Sequence, residues 1–132
     1  MEAGERDHGI KTTTAINYIT VDGLRVEKTN LGNILINNST NWTVRNSELF
    51  FGNSSSSLAG GGIHADRAHF LLVDGNYINY SLGEGVLAWR SHDVTVSNNY
   101  IDNILDDGGN TGPDGIQIGA ESTTPNACDN FK

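Results

Sequence analysis

Short apolar runs alternate with short polar ones along this chain, and the alternation repeats. Four segments line up by inspection: Val21-Asp22-Gly23-Leu24-Arg25-Val26, Val44-Arg45-Asn46-Ser47-Glu48-Leu49, Val73-Asp74-Gly75-Asn76-Tyr77-Ile78 and Val96-Ser97-Asn98-Asn99-Tyr100-Ile101. Each opens on Val, bends through Gly or Asn, and closes on an apolar residue. The opening valines are 23, 29 and 23 residues apart. A second motif precedes the last three: Ile34-Leu35-Ile36, Ile63-His64-Ala65 and Val86-Leu87-Ala88, each starting 10 residues ahead of its valine. Gly115-Ile116-Gln117-Ile118 opens a further copy. Period-two alternation marks a strand, and a constant offset between unlike segments marks a repeated unit.

The variation in length is confined to loop-like insertions, one running from Gly52 to Gly62 and one from Asp106 to Asp114. Both lie just before the alternating strand, so both are expected at the same corner of the repeat. Gly23, Asn46, Gly75 and Asn98 share one slot, which fits a bend needing positive φ or side-chain hydrogen bonds to nearby backbone. A leucine-rich repeat has a similar period, but its Leu-x-x-Leu-x-Leu signature is absent. From Ile19 to Ile118 the repeat resembles the pectate-lyase-like superfamily of right-handed parallel β-helices. That resemblance implies an all-β solenoid of about four to five coils of ~23 residues, stacked at about 4.8 Å. Residues 15–118 are then coils, 1–14 an N-terminal cap or extension, and 119–132 the start of a further coil or loop. Ile34, Ile36, Ile63, Ala65, Val86, Ala88, Ile116 and Ile118 are expected to face inward with the repeating valines. Asp129-Asn130-Phe131-Lys132 reads as the lead into another strand. The expectation is therefore a piece of a longer solenoid, or one whose open ends associate end to end with another copy.

Composition narrows the functional classes. The chain has 132 residues, 36% of them apolar, with 16 Gly. Helix formers are scarce, and no stretch carries the i, i+3, i+4, i+7 pattern of a helical bundle. A net charge of −8 argues against a nucleic-acid partner. The single cysteine, Cys128, excludes an intrachain disulfide and a Cys-based metal site. No apolar run could span a membrane, and Met1 to Thr20 lack the apolar segment of an export signal.

Candidate chemistry sits on the outer face of the alternating strand, where equivalent positions form rows. One row reads Leu35, His64, Leu87, Gln117, and the next Asn37, Asp66, Trp89, Gly119. Arg67 and Arg90 follow at the strand's end, and Glu84 and Asp114 lie at its start. An aromatic ring beside hydrogen-bonding and charged groups suits a sugar chain, so Trp89, Asn37, Gln117 and Glu84 are candidate substrate contacts. Arg67 and Arg90 should stack one above the other, and like charges so placed need an anion between them. Asp66, Asp93 or Glu84 supplies it in one reading; in the other, a uronate carboxylate of an acidic polysaccharide docks there. A lyase would use such docking to acidify the neighbouring proton, with His64 as base and Asp66, Arg67 and Arg90 completing the set.

His69 and His92 should also stack, as turn residues outside the groove. Asp106, Asp107 and Asp114 are a candidate Ca²⁺ site, since the superfamily's lyases use Ca²⁺; their spacing differs from an EF-hand loop. Asn110-Thr111-Gly112-Pro113-Asp114-Gly115 is the nearest approach to a polygalacturonase-like segment. Asp66 and Asp114, two coils apart, would be roughly 9.6 Å from one another at strand spacing, near the upper limit for an inverting carboxylate pair. Three readings follow: a secreted or cell-surface lyase-like enzyme acting on an acidic polysaccharide, a non-catalytic carbohydrate-binding or structural β-helix, and an inverting glycoside hydrolase.

Overall fold

The computed structural model describes residues 6–52, 61–106, 113–119 and 132. The insertion 53–60, Asp107 and residues 120–131, on which parts of the sequence reading rest, lie outside the described residues. Among the described residues the chain is all-β. Its strands are β1 (His8–Lys11), β2 (Ile19–Asp22), β3 (Arg25–Thr29), β4 (Gly32–Asn37), β5 (Thr40–Arg45), β6 (Glu48–Gly52) and β7 (Ile63–Asp66). They continue with β8 (His69–Asp74), β9 (Tyr77–Asn79), β10 (Glu84–Trp89), β11 (His92–Ser97), β12 (Tyr100–Asp102) and β13 (Asp114–Gly119). There is no helix long and apolar enough to cross a membrane among these residues.

Each strand pairs in parallel with the strand three places on, giving three sheets in a solenoid-like arrangement. The first is β1-β4-β7-β10-β13, the second β2-β5-β8-β11, and the third β3-β6-β9-β12. The register follows the repeat residue by residue. Val21, Val44, Val73 and Val96 stand in one row of the second sheet. Ile34, Ile63, Val86 and Ile116 stand in one row of the first. Val26, Leu49, Ile78 and Ile101 close the third side. One finding was not anticipated: His8–Lys11, inside the stretch read as a terminal cap or extension, form a strand of the first sheet, with Ile10 opposite Ile34.

Stacking of like on like creates the core. Ile34, Ile36, Ile63, Ala65, Val86, Ala88, Val44, Val73, Leu49 and Ile78 are all essentially inaccessible to water. Each large aliphatic group so placed stabilises the fold by about 1.5–3 kcal/mol relative to exposure. Ile116 and Ile118 depart from the expectation. They stand in the inward rows, opposite Val86 and Ala88, yet remain half exposed. Each inner side chain needs a neighbour on both sides along the stack, and among the described residues no strand follows β13 in the first sheet.

The corners have their own rule. Among the described residues, the non-glycine residues with positive φ fall into four rows: Asn38, Arg67 and Arg90 after the first sheet; Tyr18, Asn41, Phe70 and Asp93 at the start of the second; Asn46 and Asn98 after it; and Lys28, Phe51, Tyr80 and Asn103 at the end of the third. Gly23 and Gly75 fill the row of Asn46 and Asn98, as the sequence implies. Polar residues that follow a corner tie successive rounds together, with Ser47, Asn76 and Ser91 buried. The Ser47 hydroxyl donates to the Arg45 carbonyl and accepts from the Leu24 N–H below. Ser91 does the same with the Trp89 carbonyl and the Ala68 N–H. Asn76 and Asn99 extend this into a ladder: Asn99 Nδ2 donates to the Val73 and Ser97 carbonyls, while its Oδ1 accepts from Asn76. Buried backbone polar groups at the corners are thereby satisfied, which a solenoid otherwise lacks the means to do.

Ile63→Ala should lower unfolding free energy by about 2–5 kcal/mol, the usual cost of emptying a fully packed site. Leu72→Thr, which only matches Thr43 and Thr95 on either side of it on the outer face, should change it by less than about 1 kcal/mol. Urea unfolding of the two variants checks both values.

Candidate functional site

The first sheet brings the predicted rows together as read. Leu35, His64, Leu87 and Gln117 are in register, preceded by Lys11, and so are Asn37, Asp66, Trp89 and Gly119. Strand alternation puts both rows on the outer face, because Ile34, Ile36, Ile63, Ala65, Val86 and Ala88 take the inner one.

Asp66 is the centre of the polar cluster. It ends β7, is largely buried, and accepts a bidentate pair from Arg90: Nε to Oδ1 at 2.8 Å and Nη2 to Oδ2 at 2.7 Å. Arg67 Nη2 donates to Oδ2 at 3.0 Å. The anion between the two arginines is therefore the chain's own Asp66. Fork-on-carboxylate geometry is the strongest form of this pair, so Arg90 and Asp66 hold one another. Arg67 differs. Its side chain is 50% exposed, and its remaining N–H groups meet no partner among the described residues. Asp66 thus faces two guanidinium groups, of which Arg67 is the more open.

Trp89 lies beside this cluster. A Cβ on Gly119 would overlap its six-membered ring, so the indole lies across the next strand where glycine leaves room. The ring is seated on the sheet, half-buried, with glycine as the seat.

His64 is half-buried between Leu35 and Leu87, and its Nδ1 is buried with no hydrogen bond. Burial pushes its pKa down; Asp66 opposes this, while His8 and Arg90 add to it. The imidazole is thus held neutral. His8 was not singled out from the sequence, because the single copy of its strand breaks the offset: Ile10 precedes Val21 by 11 residues instead of 10.

Other expected members stand elsewhere. Leu87 is buried although it is on the outer face, so this row is less open than a shallow groove. Crowding by neighbours on both adjacent strands accounts for that. Glu84 is buried at the start of β10, opposite Asp114 and five residues before Trp89, and does not join the cluster. Asp66 and Asp114 fall at opposite ends of the strands. Two strand spacings plus five residues of rise separate them by roughly 19 Å, beyond an inverting pair's range. The earlier figure omitted the distance along the strand. Asn37 Oδ1 is buried without a partner among the described residues, in the row of Asp66.

Gly83 ties two of the acidic positions to one corner: its N–H donates to the Leu105 carbonyl, and its carbonyl accepts from the Asp114 N–H. Asp106 follows Leu105 directly. Among the described residues no three carboxylate, His or Cys ligands converge; Asp107, the third member of the expected Ca²⁺ site, lies outside them. His69 and His92 do stack, with centroids 3.7 Å apart and planes within 13°. They open β8 and β11 and are strand residues, not turn residues. His92 Nδ1 lies 2.7 Å from Asp93 Oδ2. Parallel rings direct their nitrogen lone pairs along parallel lines, which does not suit a shared metal.

No protein-family model, no curated protein and no solved structure matches this chain.

Burial is the leading cause that lowers the pKa of His8, His64 and His69 alike. The unfolded chain, with its histidines at 6.5, takes up protons before the folded one does. Stability contributed by the neutral rings is complete above that pH and declines as pH falls below it. Thermal unfolding should therefore occur at lower temperature at pH 5.5 than at pH 7.5, and His64→Gln should reduce the difference. Equal melting temperatures at the two pH values would contradict the assignment.

Proposed function

We propose that this chain forms a right-handed parallel β-helix of the pectate-lyase-like kind, secreted or at a cell surface, whose first-sheet face binds an acidic polysaccharide. The observation that carries the reading is the pairing of a flat indole seated on Gly119 with a half-exposed Arg67 beside it. A sugar ring presents C–H groups to such a face, and a uronate carboxylate meets the guanidinium at its edge. Arg90 serves by holding Asp66, which in turn orients Arg67. The occupation of Arg90 by Asp66 favours binding over catalysis, since the two arginines do not both await a substrate carboxylate.

One observation favours a second, lyase-like reading: His64 is kept neutral two residues from Asp66, on the same face. A neutral imidazole is the form a general base requires. In that reaction His64 removes the proton on the carbon next to the carboxylate. The electron pair forms a double bond, and the glycosidic oxygen leaves, taking a proton from solvent. Neither reading depends on the Ca²⁺ that the resemblance implies.

Titration of the folded chain with polygalacturonate and alginate, followed by tryptophan fluorescence and calorimetry, tests the binding. Trp89→Ala should weaken it about tenfold, in line with loss of one aromatic contact. Gly119→Ala, which pushes the ring off its seat, should weaken it too. Ultraviolet absorbance of an unsaturated product, lost in His64→Ala, would favour the lyase reading. No binding to either polymer by folded protein would sink both.

A separate variant probes the cluster's charge. Asp66→Asn removes the carboxylate that occupies Arg90 and raises the cluster by one positive charge. Polyuronate should then bind more tightly at low salt, with the gain fading as salt rises. Unchanged affinity at low salt would show that the arginines do not face the ligand.

A further inference from the structure

The third sheet carries a feature that neither the fold nor the first-sheet face uses. Five aromatic rings lie in contact on its outer side. Phe50 meets Tyr77 edge to face at 5.2 Å, Tyr77 meets Tyr100 at 5.3 Å, Phe51 stacks on Tyr80 at 5.2 Å with planes within 8°, and Phe50 lies 6.4 Å from Phe51. Tyr100 is 61% exposed, Phe51 48% and Tyr80 43%.

Filling of the interior does not account for these residues. Their inward neighbours Leu49 and Ile78 already fill the core from this sheet. Phe51 and Tyr80 also sit at positive φ, 49° and 54°, in the row where Asn103 stands one strand further on. Bulky side chains rarely adopt that conformation, whereas Asn tolerates it. The chain thus bears backbone strain and apolar exposure together at the same two positions. A contiguous aromatic patch rimmed by polar groups marks a binding surface.

The rim selects the occupant. Exposed Asp102 and Asn103 border the rings and are groups that read hydroxyls; buried Asn79 anchors them, its Oδ1 accepting from Asn103 Nδ2 at 3.0 Å and its Nδ2 donating to the Tyr77 hydroxyl at 2.6 Å. The charges disfavour a polyanion. Arg25 is engaged by Glu27 and Glu48 at 3.1 and 3.0 Å and lies over the Phe50 ring at 4.6 Å. With Lys28 and Asp102 included, the face holds two cations against three carboxylates. Ring contacts between successive strands recur at 5.2–5.3 Å, so a linear ligand running along the stack meets ring after ring. A second copy of the chain would bring another net charge of −8 to the same place.

The geometry points to a second carbohydrate surface, on the third sheet, that takes an uncharged glycan chain lying along the solenoid axis. This assignment is independent of the first-sheet reading. Affinity electrophoresis of the full chain through gels containing hydroxyethyl cellulose, mixed-linkage β-glucan or glucomannan tests it. At least one of these should retard the protein, and added salt should leave the retardation unchanged. Tyr100→Ala and Tyr80→Asn should each weaken it about tenfold, while Trp89→Ala leaves it intact. Tyr80→Asn relieves the positive-φ strain, so loss of binding there is not loss of folding; circular dichroism of each variant confirms this. Retardation by none of the three polymers, or retardation untouched by both tyrosine variants, overturns the proposal. So does retardation abolished by Trp89→Ala, which would assign it to the first sheet. A dimer in sedimentation velocity that Tyr80→Asn dissolves would overturn it in favour of a second copy on this face.

Discussion

A parallel strand must sit directly above its neighbour, residue over residue, and everything else in this structure follows from that. Backbone hydrogen bonds between successive rounds fix the register, and the register places Ile34 under Ile63 under Val86 and Val44 under Val73. A single round has no interior of its own; the core exists only as a stack. The same constraint acts outside. Whatever side chain one round presents, the next presents its equivalent about 4.8 Å away, so chemistry on this molecule comes in rows.

Rows are unforgiving where charges repeat. Arg67 and Arg90 occupy the same corner in successive rounds, both at positive φ, and their proximity is tolerated because Asp66 stands between them. Rows of polar side chains are used to advantage just after the corners, where Ser47, Ser91 and Asn99 bond both to their own round and to the one below, and Asn76 bonds to the rounds on either side. These two devices differ in kind. The ladder satisfies backbone groups and belongs to the fold. The cluster leaves Arg67 open, next to an aromatic ring, and belongs to the surface.

The faces of the solenoid are correspondingly unlike. The first sheet joins a seated indole to basic and neutral hydrogen-bonding groups. The third joins tyrosine and phenylalanine to amides and carboxylates. The two faces thus differ in charge as well as in ring chemistry.

Much of this was legible in the residues themselves. The offset of 10 between unlike strands and the shared Gly/Asn slot fixed the parallel stack, the register and the inner rows, because strand pairing converts sequence period directly into spatial neighbours. Asp66, Trp89 and Arg90 were likewise assignable to neighbouring rows. What no period encodes is how side chains of one row settle. That Asp66 turns to the arginines instead of outward, that Trp89 lies down on Gly119, that Leu87 and Glu84 are buried, and that Phe51 and Tyr80 join Phe50, Tyr77 and Tyr100 in one patch depend on rotamers and on contacts across strands. His8 escaped notice because one extra residue between Ile10 and Val21 hides its strand from an offset count. The sequence determined which residues are neighbours, since the backbone ladder allows one register; the tertiary structure decided which neighbours touch, since that is settled by packing between side chains far apart in the chain.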